Sequence, residues 1–234
     1  MRKVLLATPS YDGKVNVEFM FCLQETLKLA HENGVALHPV VISHDALVQR
    51  VRNDFVKMAI ETECDDLIFM DSDQEWNPAW VFQLLAHDVD VVGCPVPKKS
   101  DTNIDFNIHK AAGDEAIREN GLLAVKSVGT GFLRISRKAL LQVWDAATPY
   151  RDHSGEKRMV FDVQVIDGEL YSEDSVFCKK YADLGGTIYV DTTMTCNHIG
   201  TKKYGGNFAA FYAAFLEAEA AMRTAAQPAE TVEQ

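Results

Sequence analysis

Two carboxylates two residues apart, Asp71 and Asp73, follow directly on the apolar run Leu67-Ile68-Phe69-Met70. The run reads as a buried strand, and extended backbone puts side chains at i and i+2 on one side. Two hard oxygen donors at a strand's carboxyl end can hold a divalent cation, and the cation can hold a diphosphate. A bare Asp-x-Asp is equally a polar strand end bathed in solvent. Glu173 and Asp174, behind Ser172, are a second acidic pair. A carboxylate there can take the proton of an attacking hydroxyl. The same residues suit a first helical turn, where Ser172 is a good N-cap and the macrodipole favours acid. His198 brings an imidazole suited to manganese-like ions, or is an ordinary surface or core histidine. Lys202, Lys203 and Tyr204 follow it, as a point-charge clamp for a diphosphate or as a solvated basic stretch. Gly129-Thr130-Gly131 permits close backbone approach to a ligand, or is a plain turn. Trp76, just past Asp73, offers an apolar face to a sugar, whereas Trp80 and Trp144 read as core. Lys98 and Lys99 either meet a phosphate-bearing acceptor or sit in a solvated loop.

The elements that must position these groups alternate. Residues 3–8 read as a strand, 17–33 as a helix striped by Met20, Leu23, Leu27 and Ala30 and stopped by Gly34, and 36–43 as a strand. Residues 45–62 read as a helix with Leu47, Val51, Phe55, Met58 and Ala59 on its apolar face. The strand 67–70, a helix capped at Asn77-Pro78 and a strand at 90–94 follow. This predicts an α/β fold with a mostly parallel sheet and helices on both faces, which binds ligands at the carboxyl ends of its strands. The turn-rich loop from Pro9 to Gly13 and the Asp71/Asp73 pair both fall at those ends.

Further on, the polar stretch 98–119 reads as a flap or a long surface loop. Strands are expected at 122–128, 132–135, 159–166, 169–171 and 187–191, with a hairpin turn at Asp167-Gly168. Helices are expected over 137–145 and from Ser172 to near Gly185. Residues 150–158 read as a charged loop and 192–207 as an irregular tail. One domain over 1–206 would be followed by a C-terminal amphipathic helix and frayed tail over 207–234. The helix stripe Phe208, Phe211, Tyr212, Phe215 and Leu216 would pack on its own domain or, second, form a homodimer contact.

With 234 residues, 47% of them apolar, the chain has ample length for a core. A formal charge of -11 disfavours a general basic face for gripping duplex nucleic acid. The five scattered cysteines form no Cys-x-x-Cys pair, which suits buried thiols in a reducing cytoplasm. No apolar stretch is long enough to span a membrane, and the short run 4–7 reads as a first strand rather than a leader.

Taken in order, Thr8-Pro9-Ser10-Tyr11-Asp12, Arg52-Asn53, Phe69-Met70-Asp71-Ser72-Asp73, Gly129-Thr130-Gly131-Phe132, Ser172-Glu173-Asp174 and His198-Ile199-Gly200 resemble a known pattern. The chain is similar to small glycosyltransferases of the GT-A fold, of the family 2 type and its phage and large-virus relatives, over most of residues 1–206. The resemblance implies a metal-dependent enzyme that transfers a sugar from a nucleotide-diphosphate donor, most simply UDP-linked, to an acceptor hydroxyl. It implies Mn2+ or Mg2+ held by Asp73 directly, by Asp71 directly or through water and the donor ribose, and by His198. It places Thr8, Pro9, Ser10, Tyr11, Asp12, Arg52, Asn53 and Ser72 around the nucleotide, with Tyr11 stacking on the base. Gly129, Thr130 and Gly131 would lie by donor sugar and acceptor, and Asp174, beside Glu173, would be the base of an inverting reaction. The resemblance leaves the acceptor open, with a glycan, a glycoprotein or a modified base as the classes it allows. No Gln-x-x-Arg-Trp stretch is present, which argues for single-sugar transfer rather than processive synthesis. A nucleotidyltransferase would use the same carboxylates, but it usually carries a glycine-rich basic loop after the first strand. A non-catalytic nucleotide-sugar-binding domain is the remaining alternative.

Overall fold

The apolar run that precedes Asp71 is buried on both faces, and the fold is built outward from it. The protein, described by a computed structural model over residues 1–111, 116–152 and 154–226, opens with β1 (Arg2–Ser10), α1 (Val17–Glu32), β2 (Val35–Ser43) and α2 (Val48–Glu61). It continues through β3 (Asp66–Met70), β4 (Gln74–Glu75), α3 (Ala79–Ala86), β5 (Val91–Gly93), β6 (Ile108–Lys110), β7 (Leu122–Val128), β8 (Phe132–Ser136) and α4 (Arg137–Ala146). Two hairpins follow, β9 (Pro149–Asp152) with β10 (Gly155–Arg158) and β11 (Gln164–Ile166) with β12 (Glu169–Tyr171). The chain ends with α5 (Glu173–Asp183), β13 (Ile188–Asp191), β14 (Asn197–Ile199), β15 (Lys203–Tyr204) and α6 (Phe208–Ala226).

Eight strands form one sheet in the order β2-β1-β3-β8-β5-β13-β7-β6. Strands β2, β1, β3, β5, β13 and β6 run one way, and β8 and β7 run against them. The sheet is therefore mostly parallel in direction, as the alternating pattern predicts, with β8 inserted between β3 and β5. Chain direction across the sheet reverses beside β1, since β2 lies on one side of it and β3 on the other. Pro39, which cannot donate to a ladder, is tolerated because β2 is an edge strand.

Period-2 alternation divides the core into two layers. Leu67 and Phe69 face one layer with α2, α4, α5 and α6, while Ile68 and Met70 face the other with Phe19 of α1 and Val81 and Leu84 of α3. Gly34, at φ +65, ends α1 in the left-handed conformation. The α1 stripe differs from expectation. Phe19, Thr26 and Ala30 are buried and Leu23 packs against the layer that holds Phe19, while Met20 and Leu27 are exposed. The buried Thr26 satisfies its hydroxyl by donating to Cys22 O (2.7 Å) and accepting from Trp76 Nε1 (3.1 Å).

Three local expectations are corrected. Pro9 and Ser10 belong to β1 rather than to the loop after it, paired with Ile42 and Ser43. The segment 150–158 is largely the β9–β10 hairpin, and its Lys157 lies buried between Asp54 and Asp152. The tail 192–207 contains β14 and β15, which join β4 in a small antiparallel sheet. Within the stretch 98–119, β6 pairs with β7 and Phe106 bridges Pro97, while 112–115 lie outside the described residues, as does the tail 227–234. Among the described residues no helix is long and apolar enough to cross a membrane. The five cysteines are free, with Cys94 Sγ and Cys196 Sγ 3.3 Å apart in the core.

Candidate active site

At the carboxyl edge of β1, β2 and β3, where the chain direction reverses, lies a cleft of about 360 Å³. Its walls are Pro9, Ser10 and Tyr11 from β1 and its exit, Val48, Val51 and Arg52 from α2, and Asp71, Ser72 and Asp73 from the exit of β3. A crevice at such a reversal is where doubly wound sheets bind ligands. Tyr11 is largely exposed over it. Asn16 N donates to Ser72 O (3.1 Å), which ties the loop after β1 to the acidic motif.

The motif itself is a turn. Gln74 N donates to Asp71 O (3.2 Å), and β4 follows at once. The two carboxylates therefore do not stand side by side on extended backbone, as i, i+2 spacing in a strand would have them. They take different partners. Asp73 Oδ2 faces Lys99 Nζ at 2.6 Å and His198 Nε2 at 3.3 Å, and Asp73 Oδ1 accepts from Gln74 Nε2 at 3.3 Å. Burial works to raise the Asp73 pKa, but hydrogen bonds and charge from His198 and Lys99 outweigh it and hold the carboxyl at about 2. Strand pairing brings the histidine there. His198 lies opposite Gln74 in the β14–β4 ladder, and Ile199 N donates to Asp73 O (2.8 Å).

His198 Nδ1 lies 2.9 Å from Pro97 O, which can only accept, so Nδ1 carries a proton. That leaves Nε2 directed at a carboxylate oxygen. A ring held by its Nδ1–H on a carbonyl, with Nε2 beside an aspartate, has the outer-shell arrangement of a metal-binding histidine. The donor set, one carboxylate and one imidazole, fits manganese or magnesium with further oxygens from a ligand. Among the described residues no group of three His, Cys, Asp or Glu side chains converges to hold an ion.

Asp71 turns the other way. Its Oδ1 meets Arg52 Nη2 (3.3 Å), and Arg52 Nε meets Glu173 Oε1 (3.2 Å). Arg52 is buried and its guanidinium lies 5.2 Å from the centroid of the Phe69 ring. Its Nη1 has no hydrogen-bond partner among the described residues, a buried donor beside the cleft. Through Arg52 the motif is joined to the α5 N-terminus. There Asp174 Oδ1 accepts from Ser175 N (2.7 Å) and from Ser172 Oγ, while Asp174 Oδ2 has Asn107 Nδ2 at 3.5 Å. Ser172 thus bonds the Asp174 side chain instead of capping the helix through a backbone amide. Gly129 and Gly131 close this side. Asp71 N donates to Gly131 O (3.0 Å), and a Cβ on Gly129 would sit 2.1 Å from Asn107 Nδ2. Thr130 between them is buried.

Several expected groups lie elsewhere. Asn53 is fully buried and clamps the backbone of Phe161 in both directions (2.9 and 2.8 Å), which leaves it nothing to offer a nucleotide. Trp76 is buried against Phe19, with ring centroids 5.2 Å apart, so its face is not presented to a sugar. Thr8 is buried within β1, its hydroxyl without a partner among the described residues. Asp12 is exposed and accepts from Lys14 N (3.2 Å), an Asx turn. Lys202 pairs with Asp101 (2.6 Å), Lys203 with Glu75 (2.7 Å), and Tyr204 lies under Lys202, none of them lining the cleft. Three residues reach the site in ways the sequence does not assign, although Lys99 is there a candidate for a phosphate-bearing acceptor. Asp45, held by Arg50 (2.7 Å), lines the cleft; Asn107 reaches Asp174; Lys99 reaches Asp73. Their neighbours are remote in sequence, so spacing does not mark them.

No family model matches the sequence, and no curated protein matches it. Solved structures do. The protein A197 from STIV superposes with a TM-score of 0.55 at 19% identity, covering 86% of both chains. A mutant of Drosophila β1,4-galactosyltransferase 7, in complex with manganese, UDP-Gal and xylobiose, superposes with a TM-score of 0.51 at 16% identity, over 86% of this chain and 71% of that one. At such identities the likeness is one of architecture, and it agrees with the sheet order and the carboxyl-edge cleft. The chain thus has the GT-A-like α/β fold of glycosyltransferase structures.

Proposed function

We propose that the protein is a metal-dependent glycosyltransferase that moves a sugar from a UDP-linked donor to an acceptor hydroxyl on a glycan, a protein or a modified nucleobase, in the cytoplasm. The observation that carries the reading is the Asp73–His198 pair, with Nδ1 fixed on Pro97 O and Nε2 3.3 Å from the carboxylate. Asp73 and His198 would hold Mn2+ or Mg2+, which when bound offsets the charge that develops on a diphosphate leaving group. The galactosyltransferase with a similar fold was crystallised with manganese and UDP-Gal, which supports this choice of cation and donor.

This chain's own residues supply the rest. Tyr11, an exposed ring lining the cleft, suits a base, and Asp45, which also lines it, suits an amide edge. Arg52 Nη1, a buried donor without a partner among the described residues, suits an anionic or hydroxyl oxygen of the nucleotide. Asp174 is the base of an inverting reaction. Its Oδ1 is occupied by Ser172 and Ser175, whereas Oδ2 has, among the described residues, the long Asn107 contact alone and is the oxygen that receives the acceptor proton. Glu173, bound to Arg52, holds that guanidinium in place.

The test is incubation with a panel of sugar nucleotides and Mn2+, reading slow donor hydrolysis. Release of UDP that stops in chelator and in His198→Ala supports the reading. Pyrophosphate released from a nucleoside triphosphate supports a nucleotidyltransferase instead. Donor binding without turnover for any acceptor supports a binding domain.

A further inference from the structure

The ammonium of Lys99 and a divalent cation would need the same oxygen. Lys99 Nζ lies 2.6 Å from Asp73 Oδ2, the oxygen that also faces His198 Nε2 at 3.3 Å. An ammonium and a metal ion cannot share one carboxylate oxygen without strong like-charge repulsion. The other basic side chains nearby have carboxylates of their own: Lys98 on Asp105 (2.7 Å), Lys202 on Asp101 (2.6 Å), Lys203 on Glu75 (2.7 Å).

The Lys99 stem is guided to this point. A Cβ on Gly200 would lie 3.1 Å from Lys99 Cδ and 3.1 Å from Tyr204 Cε2, so the missing side chain at 200 leaves the lane along which the stem runs. The backbone on either side is pinned by Lys98 N to Asp105 O (2.8 Å) and Ser100 N to Lys98 O (2.9 Å). The root of the side chain is fixed, and the exposed residue's long stem carries the ammonium to Asp73.

We propose that Lys99 is a stand-in cation: it neutralises Asp73 in the metal-free protein and, when a divalent cation takes that oxygen, swings to the diphosphate of the nucleotide. The proposal rests on the reading of Asp73 and His198 as a metal pair. Metal alone must displace Lys99 and strand its charge. Metal with a nucleoside diphosphate gives the ammonium a new anion, so the two ligands bind as a coupled pair, each raising the affinity for the other by the same factor. Lys99 thereby takes the diphosphate role that sequence suggested for Lys202 and Lys203.

The test measures Mn2+ binding by the paramagnetic resonance of the free ion, with and without UDP, in the wild type, Lys99→Met and Lys99→Arg, with Asp73→Asn as baseline. Lys99→Met is expected to bind Mn2+ alone about tenfold tighter than wild type and to lose most of the mutual enhancement between Mn2+ and UDP. Lys99→Arg, keeping the charge, is expected to retain that enhancement. Wild type and Lys99→Met binding Mn2+ alone equally, while UDP still enhances wild-type binding, would overturn the role of Lys99 and leave the metal pair standing. Wild type binding no Mn2+ even with UDP would remove the metal pair itself, and the role of Lys99 with it.

Discussion

Asp73 sits among donors, and its chemistry follows from that. Its folded-state pKa of about 2 lies below the ordinary 3.8 because His198 and Lys99 favour the charged form more than burial opposes it. A depressed carboxyl pKa stabilises the fold above the unfolded value and loses that contribution as pH falls through the folded one. In metal-free protein the wild type should exceed Asp73→Asn in stability by about 2 kcal/mol near neutrality. The two curves should converge as pH drops from 3.8 toward about 2. Urea titrations at several pH values check this, and parallel curves down to the lower limit would refute it. Arg52 raises a second residue-level question, since it bridges Asp71 and Glu173 while buried. Arg52→Met leaves two carboxylates facing each other without a counter-charge. Removing one partner of a buried ion pair costs about 3 kcal/mol. The denaturation midpoint should fall accordingly, and nucleotide binding by calorimetry should weaken with it.

Between residues and the whole lie the short elements that carry the site. The turn between β7 and β8, Gly129-Thr130-Gly131, fits only because Gly129 leaves room for Asn107, whose amide reaches Asp174. Gly129→Ala would put a methyl 2.1 Å from Asn107 Nδ2, so the Asn107 side chain must leave its place. We expect a loss of about 1–3 kcal/mol for this overpacking. Gly129→Ala/Asn107→Ala should recover a good part of it, because the clash partner is gone. A double-mutant cycle in urea measures this, and additive losses would show that the glycine serves the backbone instead.

At the scale of the whole molecule, α6 divides into a docked half and an exposed half. Phe208 and Tyr212 are buried, with Phe208 packed edge-on against Phe106 at 5.1 Å, while Met222 is 71% exposed. Met222→Ala should change the melting temperature by little, because that side chain is exposed. Phe106→Ala removes the ring on which Phe208 and Phe211 rest, and should cost about 3–5 kcal/mol. Calorimetric melts of the two variants separate these outcomes. Phe106 follows directly on the segment that carries Lys99 and precedes Asn107, so the docking of α6 also steadies one wall of the site.

The alternation of strands and helices up to β5 apart from the short β4, the burial of β3 and the location of the cleft were all legible in sequence. They follow from local periodicity, and a parallel sheet places its strand ends together by construction. The acidic pairs and the histidine could be named from residue type alone. What each one faces was decided by pairings between distant segments. The β4–β14 ladder puts His198 on Asp73, 125 residues away, and α2 packing on the sheet sends Arg52 to both Asp71 and Glu173. Asn53 and Trp76 resemble ligands in sequence and are structural in the fold, since their polar atoms are consumed by Phe161 and Thr26. Spacing reports which face of one element a side chain shares. Which remote element closes over that face is set by the burial of the entire core, and no window of sequence contains it.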